Sequence, residues 1–171
     1  MKYRIGLTSA VALAAAVISA PLALAANTTH ADAFMKKAIQ GNLAEIKEGQ
    51  LAERKGATAA LRRYGSVLVH DHSLANQKAM RAASSMGLTP PAEPNAKQRA
   101  EYEHLASLSG GKFDTTFVKS EIKDHEKTIA KYRKEAKASN SPAAAYASTS
   151  LPVLDKHLRL AEALEHHKPR G

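Results

Sequence analysis

Residues 58–86 read TAALRRYGSVLVHDHSLANQKAMRAASSM and decide the fold class of this chain. Small and apolar side chains recur in this stretch every three or four residues, which is the spacing of one face of an amphipathic helix. That face comprises Leu61, Gly65, Leu68, His72, Ala75 and Ala79. Gly87 follows as a natural helix stop. The stretch therefore predicts a long bundle helix with a histidine in the middle of its core-facing stripe.

Three more stretches have the same helical period: residues 34–54, 113–138 and 142–166. A shorter, polar helix is predicted over residues 96–108, and the three prolines within residues 88–95 prevent that connection from being helical throughout. Two long helical hairpins joined by a longer connection are the plan of ferritin-like proteins. We therefore predict an all-α fold, a ferritin-like antiparallel four-helix bundle with a short extra helix in the connection between the hairpins.

Composition narrows the class of protein and its partners. A chain of 171 residues fits one domain, which we assign to residues 34–166. The absence of cysteine excludes disulfides, thiolate metal sites and lipid attachment through an N-terminal cysteine. A formal net charge of +9 favours contact with anionic envelope components, although a solvated basic surface is the simpler interpretation. Nucleic acid is not expected as a partner, because the chain is predicted to leave the cytoplasm.

The export prediction depends on the first residues of the chain. Lys2 and Arg4 precede an alanine-rich apolar stretch, and Ala23-Leu24-Ala25 has the small-x-small pattern that signal peptidase cleaves. The apolar stretch is short for a transmembrane helix, which needs about 20 apolar residues, so a retained N-terminal anchor is the weaker alternative. We predict a secretory signal peptide over residues 1–25 and a periplasmic or secreted protein with no integral membrane span after cleavage.

The two ends of the mature chain are predicted to be irregular. Residues 26–33 are expected to form a flexible N-terminus before the first helix. Residues 167–171 are expected to form a basic tail, since they contain Lys168 and Arg170 and follow the last periodic position.

Histidines at the centres of three helical stripes suggest a site in the core. His125 lies between Phe117, Ile122, Ile129 and Tyr132 on its helical wheel, and His157 lies among leucine and alanine side chains, as His72 does. Three neutral imidazoles with a carboxylate suit a divalent transition metal, and Glu45 on the first helix is the candidate fourth ligand. The candidate second-shell residues are Asp71, Asp124 and Asn76.

The alternative for these histidines is structural. Buried imidazoles need hydrogen-bond partners, and bonds to one another, to Asn42 or Asn76, or to nearby carboxylates would fix the register of the helices. Enzyme activity is uncertain and disfavoured, because the Glu-x-x-His motif of di-iron bundles is missing: Val69 and Leu154 stand three residues before His72 and His157. Glu101-x-x-His104 has the right letters on a polar helix, and we interpret it as a solvated face. No catalytic residue is predicted.

Several short motifs occur in a fixed order along the chain: Gly41-Asn42-Leu43-Ala44-Glu45, Asp71-His72, Leu108-Ser109-Gly110, Asp124-His125-Glu126-Lys127 and Leu151-Pro152 with Leu154 and His157. With this set, the chain resembles an exported bacterial family known as the domain of unknown function 4142, which is grouped with ferritin-like folds. The resemblance covers residues 33–164 and implies the fold and the export, but no activity. Related sequences look apolar at Glu48, so the resemblance carries no ligand role onto that residue.

Two functions compete on this evidence. The first is a non-catalytic binding or structural protein of the cell envelope, which would use its basic surface. The second is a metal-binding ferritin-like protein with a histidine-rich core site.

Overall fold

The computed structural model describes residues 20–138 and 140–166, with side chains from residue 29 onward. Within these ranges the chain forms five α-helices and no strand, so the predicted all-α fold is confirmed. The helices are α1 (Ala20–Lys55), α2 (Ala59–Ser85), α3 (Ala96–Ser107), α4 (Gly110–Glu135) and α5 (Pro142–His166).

Helix ends follow the local signals in the sequence. The Thr58 hydroxyl accepts a hydrogen bond from the backbone N–H of Leu61 at 3.1 Å and caps α2. The Ser141 hydroxyl accepts one from the N–H of Ala144, also at 3.1 Å, at the start of α5. Gly87 ends the α2 segment with a φ of 72°, a left-handed conformation that glycine adopts at little cost.

The first helix differs from the prediction. Helix α1 begins at Ala20 and contains residues 26–33, which were predicted to form a flexible N-terminus before the first helix. Tertiary packing extends the helix, since Ala31 is buried in the same core cluster as Met35. The predicted signal peptide lies mostly outside the described residues, and the predicted basic tail lies wholly outside them. Among the helices that the structure describes, none is long and apolar enough to cross a membrane.

The four long helices pack as two hairpins, α1 with α2 and α4 with α5, and the hairpins meet chiefly where α2 contacts α5. The short helix α3 lies against α1 and α4. The apolar core is divided into two clusters. One contains Met35, Ile39, Ala79, Ile129 and Leu154, and the other contains Leu61, Leu68, Phe113, Phe117 and Ala161, together with further buried side chains.

A layer of buried polar side chains separates the two clusters along every long helix. On α2, for example, His72 stands between Leu68 of one cluster and Ala79 of the other. The corresponding positions on the other helices are Asn42 and Glu48 on α1, Glu121 and His125 on α4, and His157 on α5. The fold therefore places a polar layer at mid-height in an otherwise apolar bundle.

Two glycines set the closest approach of α1 to α2 beside this layer. A Cβ atom added to Gly65 would lie 2.6 Å from the carbonyl oxygen of Gly49, and one added to Gly49 would lie 2.8 Å from that of Gly65. Both distances are shorter than van der Waals contact allows, so this helix crossing requires glycine at both positions.

Candidate metal centre

Three imidazole rings meet in the polar layer, one from each of α2, α4 and α5. The ring centroids are 5.0 Å apart for His72 and His157, 5.3 Å for His125 and His157, and 6.0 Å for His72 and His125. All three side chains are buried, with exposed fractions of 5 %, 1 % and 0 % for His72, His125 and His157. The convergence expected from the helical wheels is therefore present.

One nitrogen of each ring is held by a hydrogen-bond acceptor on the outside of the cluster. Nδ1 of His72 donates to Oδ1 of Asn42 at 3.0 Å. Nδ1 of His125 donates to the carbonyl oxygen of Glu121 at 2.9 Å, one helical turn earlier. Nε2 of His157 donates to Oδ2 of Asp71, also at 2.9 Å. Because a neutral imidazole has only one N–H, these partners assign the tautomers and leave the other nitrogens as lone pairs.

Two of the remaining nitrogens face each other and the third is buried beside no partner. Nε2 of His125 lies 3.3 Å from Nδ1 of His157, and Nε2 of His72 is buried without a hydrogen-bond partner. A potential ligand atom from each ring lies within 4.8 Å of those of the other two. Buried lone pairs this close together repel one another unless a proton or a cation lies between them.

The surroundings keep these rings uncharged. Burial lowers the pKa of His72 well below its ordinary value, and the neighbouring His157, His125 and Lys156 lower it further. Burial also lowers the pKa of His125, and it lowers that of His157 to about 4 in spite of the hydrogen bond to Asp71. Near neutral pH all three imidazoles are therefore in the form that coordinates metal ions.

Asp71 connects the cluster to the surface. Its Oδ2 accepts hydrogen bonds from His157 and from Lys156, and Lys156 is partly exposed. Burial acts to raise the pKa of Asp71, but the bonds from these two partners outweigh it and lower the pKa. The ionised carboxylate therefore orients His157. A cavity of about 80 Å³, lined by Asn42, Asp71 and His72 among others, lies against the same side of the cluster.

A second group of polar side chains lies on the other side of His125. Oε2 of Glu121 is 3.5 Å from Nδ1 of His125 and accepts a hydrogen bond from the hydroxyl of Tyr64 at 3.2 Å. The carboxyl group of Glu45 lies close to that of Glu121, and its Oε2 is buried without a hydrogen-bond partner. Potential ligand atoms of Glu45, Glu121 and His125 lie within 4.8 Å of one another.

These carboxyl groups resist ionisation. Burial, reinforced by neighbouring acidic groups, raises the pKa of Glu45 to about 8 and that of Glu48 to about 9. Burial and the same neighbours raise the pKa of Glu121 well above its ordinary value. Without a cation, these three carboxyl groups are therefore protonated at neutral pH.

Comparison with known proteins places the chain in a family. The model of the domain of unknown function 4142 matches residues 17–164, which is most of the sequence. The chain belongs to this family. No curated protein and no solved structure matched the chain. The family membership agrees with the resemblance in the ordered motifs, and it supplies no activity.

In this family 4142 chain the predicted site residues fall into different groups. The three predicted histidine ligands come together: His72, His125 and His157. Glu45, the candidate fourth ligand, belongs to a second group with Glu121 and His125. His125 is the residue that the two groups have in common. Glu48, onto which the resemblance carried no ligand role, is buried, with only 7 % of it exposed.

Of the three residues predicted to lie behind the ligands, one contacts a histidine of the cluster. Asp71 contacts His157 as expected. Asn76 donates instead to the sulfur of Met80 at 3.7 Å, and Asn42 takes the place beside His72. Asp124 lines a surface groove, and its charge only partly offsets the lowering of the His125 pKa by burial.

Sequence reasoning missed Glu121. The spacing along the sequence could have identified it. Glu121 lies four residues after Phe117 and four residues before His125, so all three lie on the same face of α4.

Proposed function

We propose that the protein binds one divalent transition-metal ion between Nε2 of His72, Nε2 of His125 and Nδ1 of His157. The observation that supports this most strongly is the arrangement of the six ring nitrogens. The three outer nitrogens are each held by an acceptor, so the three other nitrogens are left with lone pairs in a buried space, and those of His125 and His157 are 3.3 Å apart. Ligand imidazoles in metalloproteins are oriented in this way by their second nitrogen.

The donor set indicates the kind of ion. Neutral imidazole suits zinc, copper, iron and nickel, and no thiolate is present to favour softer ions. Three histidines leave a coordination position for water or a small anion, which is the pattern of reactive rather than purely structural zinc sites. We therefore propose Zn²⁺ or Cu²⁺ as the ion, with Asn42, the Glu121 carbonyl and Asp71 orienting the ligands.

The test is a metal titration of tag-free protein that has first been stripped with chelator. We expect calorimetry and elemental analysis to give one Zn²⁺ or Cu²⁺ bound tightly per chain. His125→Ala and His157→Ala should each weaken binding at least 100-fold, since removal of one of three ligands loses a coordinate bond.

His70→Ala is the matched control, because His70 is exposed on α2 two residues from His72. Its affinity should equal that of the wild type. The proposal is wrong if the wild type binds no ion tightly, or if all the histidine variants bind equally well. In that case the cluster is a hydrogen-bonded structural network, in which a proton between His125 and His157 takes the place of the metal.

We also propose that the protein acts outside the cytoplasm, in contact with anionic envelope components. Residues 1–25 have the features of a signal peptide, and the groove between α3 and α4 is lined by Lys97, Lys119, Lys123 and Lys127. N-terminal sequencing of the mature protein from its native host should give a start near Ala26. An intact Met1, or protein only in the cytoplasmic fraction, would contradict export.

Binding to the envelope has its own test. The wild type should sediment with anionic cell-wall polymer at low salt, and a variant with Lys119, Lys123 and Lys127 replaced by Gln should not. Equal sedimentation of the two proteins would contradict the proposed role of the groove.

A further inference from the structure

The carboxyl groups beside His125 are poorly matched to a purely structural role. Glu121 is 2 % exposed and Glu48 is 7 % exposed, and Oε2 of Glu45 is buried without a hydrogen-bond partner. Among the ion pairs of the described residues, none joins a lysine or arginine to any of these three glutamates. Buried carboxylates are normally paired with a positive charge or coordinated to a metal ion. The burial of three carboxyl groups without a cationic partner is therefore the feature to be explained.

The geometry on this side of His125 resembles a ligand set more than a random acidic patch. It brings together a carboxylate from α1, a carboxylate from α4 and an imidazole nitrogen, and a potential ligand atom of each lies within 4.8 Å of the others. The Tyr64 hydroxyl orients Glu121 through a hydrogen bond of 3.2 Å, as second-shell groups orient metal-bound carboxylates.

We propose that Glu45, Glu121 and Nδ1 of His125 bind a second divalent cation, so that His125 bridges two metal ions. This inference rests on the proposed function, because the first ion occupies Nε2 of the same ring. The result is a dinuclear centre in which the two ions have different ligands.

The bridge requires His125 to lose its remaining proton. Nδ1 donates that proton to the Glu121 carbonyl at 2.9 Å in the metal-free protein. A cation bound at Nε2 makes the proton more acidic, as metal ions do for the groups that they bind. The 2.9 Å between Nδ1 and the carbonyl oxygen is too short to hold an ion, so the ring would have to turn from the carbonyl toward the Glu121 carboxyl group, whose Oε2 lies 3.5 Å from Nδ1. The proton would then pass to solvent, and the ring would be an imidazolate between the two ions. The carboxyl protons of Glu45 and Glu121 leave in the same way.

The two positions differ in the ions that they prefer. Three imidazoles favour Cu²⁺ or Zn²⁺, whereas two carboxylates with one nitrogen favour a harder ion such as Mn²⁺. We therefore expect a mixed centre when copper and manganese are both supplied, with copper among the three histidines and manganese between Glu45 and Glu121.

The experiment loads metal-free protein with one equivalent of Cu²⁺ and then titrates Mn²⁺, with binding followed by calorimetry and by the Cu²⁺ electron paramagnetic resonance signal. We expect one Mn²⁺ to bind and the copper signal to weaken, because an imidazolate bridge couples the two unpaired spin systems. Glu45→Gln and Glu121→Gln should retain copper and lose Mn²⁺ affinity at least 10-fold. Glutamine mimics the protonated side chain, so both variants should fold.

Glu48→Gln is the matched control, since Glu48 is also a buried glutamate of α1 but is not among the grouped ligands. It should bind both ions and show the same loss of copper signal. One bound copper with no second ion, or Mn²⁺ affinity unchanged in Glu45→Gln and Glu121→Gln, would overturn the second site and leave the first intact. Absence of bound copper in the wild type would overturn both.

Discussion

At the scale of single residues, the chemistry of the centre depends on the groups behind the ligands. Asn42, Asp71 and the carbonyl of Glu121 each hold one ring nitrogen, and through it they decide which nitrogen faces inward. A side chain that never contacts the ion therefore controls whether a lone pair is available to it.

Asp71→Ala tests this control directly. It removes the acceptor of His157 Nε2, so the ring is free to adopt the other tautomer, and we expect the affinity for Zn²⁺ to fall about 10–100-fold. The measurement is competition with a chromophoric zinc chelator. Asp155→Ala is the control, because Asp155 lies two residues from His157 and contacts only Arg133 among the ion pairs of the described residues, at 3.4 Å. Equal affinities in the two variants would contradict the role of Asp71.

Metal-free protein should lose stability as the pH rises. Glu45 and Glu48 have pKa values of about 8 and about 9 in the folded state, against an ordinary value of 4.5 for the glutamate side chain. The folded state therefore binds more protons than the unfolded state between these limits, so the stability contribution is complete below pH 4.5 and is lost as the pH rises through 8 to 9. The loss between pH 6 and pH 9 should be on the order of a few kcal/mol.

Urea unfolding with chelator present measures this effect at both pH values. The double variant Glu45→Gln/Glu48→Gln should show a much smaller difference between pH 6 and pH 9, since its amides do not titrate. A wild-type protein that is as stable at pH 9 as at pH 6 would contradict the burial of these groups in protonated form.

At the scale of helices, the close crossing of α1 and α2 holds the polar layer in register. Gly65→Ala would place a Cβ 2.6 Å from the Gly49 carbonyl, and the two helices would have to separate. We expect a loss of about 1–3 kcal/mol in the free energy of unfolding, measured with urea.

Gly41→Ala is the matched control, because it lies in α1 with nothing within 4 Å of the added Cβ. It should leave stability unchanged or raise it by up to about 1 kcal/mol, as expected for alanine inside a helix. If Gly41→Ala lost as much free energy of unfolding as Gly65→Ala, the close crossing of α1 and α2 would not be the cause of the loss.

Helix ends that depend on local capping residues could be predicted from the sequence, whereas ends that depend on tertiary packing could not. The ends of α2 and the start of α5 were predicted correctly, because Thr58, Gly87 and Ser141 determine them through local backbone conformation and capping. The start of α1 was missed because Ala31 is buried by other helices, which no local pattern records. Glu48 and Glu121 were missed for a related reason. A carboxylate is normally assigned to solvent, and only the three-dimensional cluster explains why these are buried.

At the scale of the whole molecule, the polar layer interrupts an apolar core at some cost to the stability of the metal-free protein. The two flanking clusters, one around Met35 and Ile129 and one around Leu68 and Phe117, are what keep the layer closed. An ion that binds only the folded state should offset this cost by mass action.

Zinc should therefore raise the thermal unfolding midpoint. At free zinc 100-fold above Kd the gain is about 2.7 kcal/mol, and the midpoint should rise by several degrees. His157→Ala should show little or no gain, whereas His104→Ala, which alters an exposed histidine on α3, should match the wild type. Stabilisation of His157→Ala equal to that of the wild type would place the zinc elsewhere.

The most direct test of the metal centre is an anomalous-scattering crystal structure of the protein loaded with one equivalent of Zn²⁺ and measured on either side of the zinc absorption edge. The account predicts one dominant anomalous peak inside the bundle, about 2.0–2.1 Å from Nε2 of His72, Nε2 of His125 and Nδ1 of His157. A core without a peak, with zinc only at exposed histidines such as His70 or His104, would contradict it.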